Sequence, residues 1–295
     1  MTCVSGLCAM QMIKPIVNFS KIASDYNTFV LGFNGVLYDG ANIFPDAIRC
    51  LNNIASLGKK IVVVSNSHLR VAEVVEILHK NGVDLNIFSN IVTAGEILHY
   101  KLKYAQNEFE AIGTKYFHLG NRQNKSVFSG LKFEEVSKID EAHFMYMSEI
   151  ASPDDVIEKY KHHLIQAVSL GLPFVCAGNN TSCFIDGKLC LSSGAVAENY
   201  AILGGRIITI GKPDVRILQY ALEGISNDES IVVVGDNVAT DIKAASLLGF
   251  DSILISKGRH VNFLGEGYIP DVAKTRELSN NYDVSPSCVI SAMRW

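Results

Sequence analysis

The chain has 295 residues and lacks the features that would place it in several broad classes. It has no excess of positive charge: 26 Lys and Arg stand against 30 Asp and Glu, a formal net charge of -4. A phosphate backbone is therefore not its expected partner, and nucleic-acid binding is set aside. It has no apolar run near the roughly 20 residues needed to span a bilayer, so no membrane partner is expected. Its seven cysteines, Cys3, Cys8, Cys50, Cys176, Cys183, Cys190 and Cys288, are odd in number and never spaced C-x-x-C. They read as reduced thiols of a cytoplasmic protein, with no zinc-ligand pair among them. Charged residues make up only 19% and hydrophobic ones 48%, which argues against a disordered or acidic-tail protein. The length suits one large or two ordinary domains, with enough core to need no disulfide or metal staple.

The opening stretch, MTCVSGLCAMQM, is mildly apolar but has no basic n-region, and its apolar run is short and broken. A signal peptide or a lipid anchor at Cys8 is not expected. A frayed terminus, or a true start at Met10 or Met12, is the plainer reading.

What the chain does have is alternation. Short β-branched runs occur at Phe29-Val30-Leu31, Ile61–Val64, Ile207–Ile210, Ile231–Val234 and Ser252–Ile255. They are continuous rather than alternating, as expected of parallel strands covered on both faces. Helical patterns fall between them. Pro45 to Leu57 has Pro near its start and Gly58 after its end, and Val71, Val74, Val75 and Leu78 share a face that stops at Asn81-Gly82. The fold class that follows is α/β, a doubly wound parallel sheet of Rossmann-like type. The middle reads as a second α/β unit, with strands at Tyr116–Leu119, His143–Met147 and Phe174–Cys176. A helix is expected to start from a capping box at Ser152-Pro153-Asp154-Asp155. The expected organisation is an N-terminal extension over 1–26, a core formed by 27–85 and 204–295, and an inserted unit over 86–203.

Four segments stand at the C-terminal ends of expected core strands, where ligands bind in open α/β sheets. They are Gly32–Gly40, Ser65-Asn66-Ser67, Gly211–Asp214 and Gly235–Asp241. Ser65-Asn66-Ser67 is either an ordinary helix N-cap or a hydroxyl and amide cradle for an oxyanion. Lys212 is either a solvated lysine or the cation that neutralises a phosphate. Asp236 and Asp241 either cap the next helix or offer hard oxygens to Mg²⁺. In order and together the segments are more specific than any one of them.

The phrases GVLYDG, VVVSNS, the run from Gly204 to Pro213 and VVGDNVATDIKAA resemble those of the haloacid dehalogenase-like (HAD) phosphatases. The inserted unit resembles the C2-type cap of subclass IIA, the NagD-type phosphatases of sugar phosphates and nucleotides. The resemblance covers residues 27 to 257. It implies that Ser65, Asn66 and Lys212 hold a phosphate, that Asp236 and the backbone carbonyl of Asn34 ligate Mg²⁺, and that Asp241 supports the metal from behind. It also implies that the loop Ala177–Asn180, with Asn179 and Asn180, faces the substrate from the cap. An ordinary Asn/Gly turn is the alternative there. A homodimer through the cap is common among such folds, though no residue pattern here specifies it. His68, His99, His118, His162 and His163 show no metal-ligand spacing and read as surface or packing residues.

The first segment departs from the family pattern D-x-D-G. The nucleophile position is Gly32 and the acid/base position is Asn34. Glycine offers no nucleophile, and a carboxamide does not exchange a proton as a carboxyl does. Asp39, beyond the Gly35 turn, matches no catalytic position. Mg²⁺ left with one carboxylate is expected to bind weakly or not at all. The expectation is a catalytically impaired or inactive phosphatase-fold protein that binds a small phosphorylated metabolite. The alternative is an active Mg²⁺-dependent phosphohydrolase acting on a sugar phosphate or nucleotide.

Overall fold

The computed structural model describes residues 12–226 and 228–295. The expectations about a leader or anchor over the first residues fall outside them. In chain order the strands begin with β1 (Lys14–Pro15), β2 (Thr28–Leu31), β3 (Lys60–Ser65) and β4 (Phe88–Thr93). The middle contributes β5 (Lys115–His118), β6 (Glu134–Val136), β7 (Phe144–Met147), β8 (Phe174–Ala177), β9 (Ser182–Ile185), β10 (Lys188–Leu191) and β11 (Ile207–Ile210). The last three are β12 (Ile231–Gly235), β13 (Asp251–Ile255) and β14 (Cys288–Ile290). The larger sheet is parallel throughout, in the order β1-β14-β13-β12-β2-β3-β4. A second parallel sheet runs β11-β8-β7-β5-β6, and β9 and β10 form an antiparallel hairpin.

The apolar runs are buried on both faces because helices cover both. Phe29, Leu31, Ile61, Val63, Val232 and Val234 pack against Ala47, Leu51 and Ile54 of the helix Pro45–Ser56 and against Val74 and Leu78 of the helix Val71–Lys80. The intervening Val30, Val62, Val64 and Val233 face the opposite way, onto Leu98, Leu218, Ala244 and Ala245. Each such fully buried side chain contributes about 1.5–3 kcal/mol relative to exposure. The second sheet shares this latter core through Tyr146, Val175, Ile208 and Ile210, so the two sheets pack through common apolar residues. No helix among the described residues is long and apolar enough to cross a membrane.

The α/β, doubly wound reading holds, but the boundaries move. Phe88–Thr93 is the edge strand of the larger sheet, although 86–203 was expected to lie wholly in the insert. Its sequence, FSNIVT, carries polar residues because an edge strand need not be apolar on both faces. Ile207–Ile210 belongs to the second sheet, although 204–295 was expected to lie in the core. An apolar run has no signature that says which sheet it joins. Lys14-Pro15 pairs with Cys288-Val289, so residues 14–15 are part of the core sheet rather than of an extension. The helix expected from Ser152 starts at Glu158. Asp155 instead closes a turn, accepting the amides of Ala151 at 2.9 Å and Ser152 at 3.1 Å.

Candidate functional site

Gly32, Asn34, Ser65, Asn66, Lys212, Asp236 and Asp241 come together around one small cavity of about 20 Å³. They arrive from both sheets. Gly32 and Asn34 follow β2, Ser65 ends β3, and Asp236 follows β12, all at C-terminal strand ends of the larger sheet. Lys212 follows β11 of the second sheet.

Ser65-Asn66-Ser67 is not a helix cap. The following helix begins at Val71, and a five-residue loop separates it from β3. Ser65 Oγ accepts the Ser67 amide at 3.1 Å and holds this loop folded over the strand end. Asn66 ties the loop to the second sheet. Its Nδ2 donates to the Lys212 carbonyl at 2.8 Å, while its Oδ1 accepts the Lys212 amide at 2.7 Å. The carboxamide therefore pairs with that peptide as a strand neighbour would, and fixes where the lysine starts.

Lys212 Nζ lies 2.7 Å from Asp241 Oδ1 and also donates to the Val64 carbonyl. Asp241 Oδ2 accepts the Asn237 amide at 3.1 Å. Asp236 is buried beside this pair, and its Oδ2 accepts the Arg259 amide at 2.8 Å. Burial pushes its pKa up to about 6, against the opposing pull of the Arg259 guanidinium and with a further push from the Asp241 carboxylate. Glycines allow this close packing. A Cβ on Gly35, which has φ +76°, would stand 2.0 Å from Asp236 Oδ2, and one on Gly235 would stand 2.1 Å from Asp241 Cβ.

Asn179 and Asn180 do reach the site. Both carboxamide oxygens lie 3.4 Å from Asn66 Nδ2, and Asn180 Oδ1 accepts from Asn237 Nδ2 at 3.2 Å. The hairpin β9–β10 closes over the same cleft, with the Gly187 amide donating to the Asp39 carbonyl at 3.2 Å. Asp39 is a turn residue: its Oδ1 accepts the amides of Ala41 at 2.8 Å and Asn42 at 2.7 Å. His99, His118 and His163 pack within the fold: His99 Nδ1 meets the Val127 carbonyl at 2.7 Å, His118 is buried, and His163 stacks on Phe117. His68 lines the cleft.

Sequence reasoning missed four residues of this neighbourhood: Arg259, Asn237, His68 and Glu149. Arg259 is buried, contributes the amide on Asp236, and donates from Nη1 to Ser182 Oγ at 2.7 Å, so it clamps the core to the hairpin. Its signal in the sequence was only its place just beyond β13.

As a Mg²⁺ site the donor set falls short. Position 32 supplies no side-chain oxygen, Asp241 is engaged by Lys212, and one oxygen of Asp236 is engaged by an amide. Among the described residues no three His, Cys, Asp or Glu side chains form a metal-binding group. Asn34 Oδ1 is buried there without a hydrogen-bond partner, and it offers a metal a neutral carboxamide oxygen rather than a charged one.

The profile of the haloacid dehalogenase-like hydrolase family matches residues 29–134, and that of a HAD-hydrolase-like family matches 209–270. The chain belongs to the haloacid dehalogenase-like superfamily. It shares its fold with a structure described as a putative NagD protein (TM-score 0.57, 21% identity, 79% of this chain and 89% of that one). It is 21% identical over 239 residues to the 5′-nucleotidase YutF of Bacillus subtilis (strain 168), covering 79% of this chain and 88% of that protein. It is similar to a HAD-like family hydrolase from Brucella suis 1330, with a TM-score of 0.77, 26% identity, and coverage of 94% of this chain and 98% of the other. It also shares its fold with the glycerol phosphate phosphatase of Mycobacterium tuberculosis, solved with magnesium (TM-score 0.57, 19% identity, 80% of this chain and 70% of that one).

Proposed function

We propose that this superfamily member does not turn over phosphomonoesters at enzyme rates and instead binds a small phosphorylated metabolite in the cleft between its two sheets. The observation that carries this reading is Gly32 at the end of β2, beside a lysine already paired with Asp241. The superfamily reaction runs through an aspartyl-phosphate, and glycine closes that route. Loss of a nucleophile costs on the order of 10⁶ in turnover in other enzymes. Asn34 does not replace the missing acid and base.

Binding remains open to the chain. Ser65 and Lys212 line the same small cavity, which shares Asn34, Asn66, Ser67 and Asn180 with a larger one beside it. A space of about 20 Å³ holds little more than one water, so an entering phosphate must draw Lys212 away from Asp241. One ion pair is exchanged for another. Affinity is therefore modest and falls with salt. Mg²⁺ binds weakly, with Asp236 as its one carboxylate and the Asn34 carbonyl beside it. The five free cysteines among the described residues suit a reducing, cytoplasmic setting.

One observation favours the active alternative. Asp241 Oδ1 stands 3.7 Å from where a side chain on residue 32 would begin, so a carboxylate does reach toward the vacated place. Its ion pair with Lys212 and its bond to the Asn237 amide tie up both oxygens, which makes it a poor nucleophile. The test has two arms. With 4-nitrophenyl phosphate and Mg²⁺, no turnover above background is expected, and ordinary enzyme rates would overturn the inactive reading. Calorimetry with inorganic phosphate and glycerol 3-phosphate at low salt should give heats at millimolar ligand, and their absence would remove the binding role.

A further inference from the structure

Beside the phosphate-binding loop the cleft widens to a cavity of about 310 Å³, whose wall includes His68, Asn124, Ser148 and Glu149. Glu149 Oε1 accepts from Asn121 Nδ2 at 3.0 Å and from Asn124 Nδ2. Its other oxygen, Oε2, lies 4.0 Å from His68 Nε2. Burial lowers the His68 pKa, so the ring is neutral at pH 7, and its Nε2 is buried without a hydrogen-bond partner. Among the described residues no lysine or arginine ion-pairs with Glu149. A carboxylate held by two amides thus stands in a half-enclosed cavity without a counter-ion, next to an unfilled imidazole nitrogen.

A ligand that fills the cavity would bury this charge, which is costly unless the ligand pairs with it. A ligand hydroxyl would satisfy the free oxygen but leave the charge. An ammonium does both, and with the His68 proton on Nδ1 the two atoms, 4.0 Å apart, share one donor nitrogen between them. From this we infer that the cleft takes a phosphorylated amine, its ammonium between Glu149 Oε2 and His68 Nε2 and its phosphoryl group toward Ser65 and Lys212. The inference rests on the phosphate-binding role proposed above and adds the chemistry at the other end of the ligand. Glu149 and His68 are then the residues that select the ligand.

The test is calorimetry on the full chain at low salt with O-phosphoethanolamine and 3-aminopropyl phosphate. Propyl and butyl phosphate serve as the matched pair, with a methyl in place of the ammonium. The amines should bind at least about tenfold more tightly, the scale of one charge-assisted hydrogen bond. Glu149→Gln, with its melting temperature checked, should bring the ratio near one. A parallel arm follows the His68 ring resonances by NMR as ethylammonium is added. If all phosphates bind alike and Glu149→Gln changes nothing, the amine site is wrong while the phosphate reading stands. If no phosphate binds but ethylammonium moves the His68 resonances, the amine site stands and the phosphate reading falls. If no probe binds in either arm, both are overturned.

Discussion

Lys212 Nζ sits 2.7 Å from Asp241 Oδ1, with 4% and 5% of the two side chains exposed. The carboxylate it meets is one that reaches to 3.7 Å from where a side chain on residue 32 would begin. A pair this deeply enclosed contributes little net stability but is strongly destabilising when half of it is removed. Lys212→Met should therefore cost about 3–5 kcal/mol, because the buried Asp241 carboxylate is left without its cation. Lys212→Met with Asp241→Leu should cost less than the sum of the single changes. Chemical denaturation of the four proteins measures the coupling, and additive losses would show that the pair is not a unit.

Asp236 supplies a pH signature. Its folded pKa, about 6, lies above the ordinary carboxylate value of 3.8 because burial disfavours the ionised form. The folded chain then binds a proton more tightly than the unfolded one. Stability from this group is fully present below about pH 4 and is lost as pH rises through 6, by roughly 3 kcal/mol at most. Asp236→Asn in EDTA should remove this decline and be at least as stable as the parent at pH 7. Melting curves from pH 4 to 8, compared as differences between the two proteins, decide it; parallel profiles would place the carboxylate in a wetter setting.

Restoring the missing acids tests whether the rest of the site is sound. Gly32 has a backbone conformation open to any L-residue, and a Cβ there would meet Val36 Cγ2 at 3.1 Å and the Val234 carbonyl at 3.5 Å. The methyl of Val36 has to give by a few tenths of an ångström, so the change is tolerated at a cost of about 1–2 kcal/mol. Gly32→Asp with Asn34→Asp is expected to gain Mg²⁺-dependent hydrolysis of 4-nitrophenyl phosphate, at least about 100-fold over the parent. The gain should fall away with EDTA. A well-folded double variant with no activity would mean that Lys212 remains held by Asp241.

The comparison of sequence with structure is uneven for physical reasons. The strands at 61–64, 231–234 and 252–255 were legible because both faces are buried and the apolar runs are unbroken. The segments at 32–40, 65–67 and 235–241 were legible because a site built at strand ends needs small and polar residues in fixed order. Edge strand β4 and the hairpin β9–β10 were not, since half-exposed strands mix polar and apolar residues. Glu149 and His68 were also invisible, because they are 81 positions apart and each alone is an ordinary polar residue. Arg259 belongs to the same group: only the folded chain brings its amide to Asp236.

Gly35 should be the least replaceable glycine near the site. Its φ of +76° lies in the left-handed region, and a Cβ would stand 2.0 Å from Asp236 Oδ2 and 2.5 Å from the carboxyl carbon. Neither atom can retreat freely, because Asp236 is packed from the other side by Gly258, where a Cβ would come within 2.3 Å of Asp236 Cβ. Gly35→Ala thus adds backbone strain of about 1 kcal/mol to a clash with a buried carboxylate. The combined loss should exceed about 2 kcal/mol. Gly58→Ala is the control: it has a similar φ of +68° and open space around it, so it isolates the backbone contribution. Denaturant midpoints for the two variants should therefore differ clearly. Equal losses would mean that the loop after β2 moves aside and that Asp236 is not confined as described.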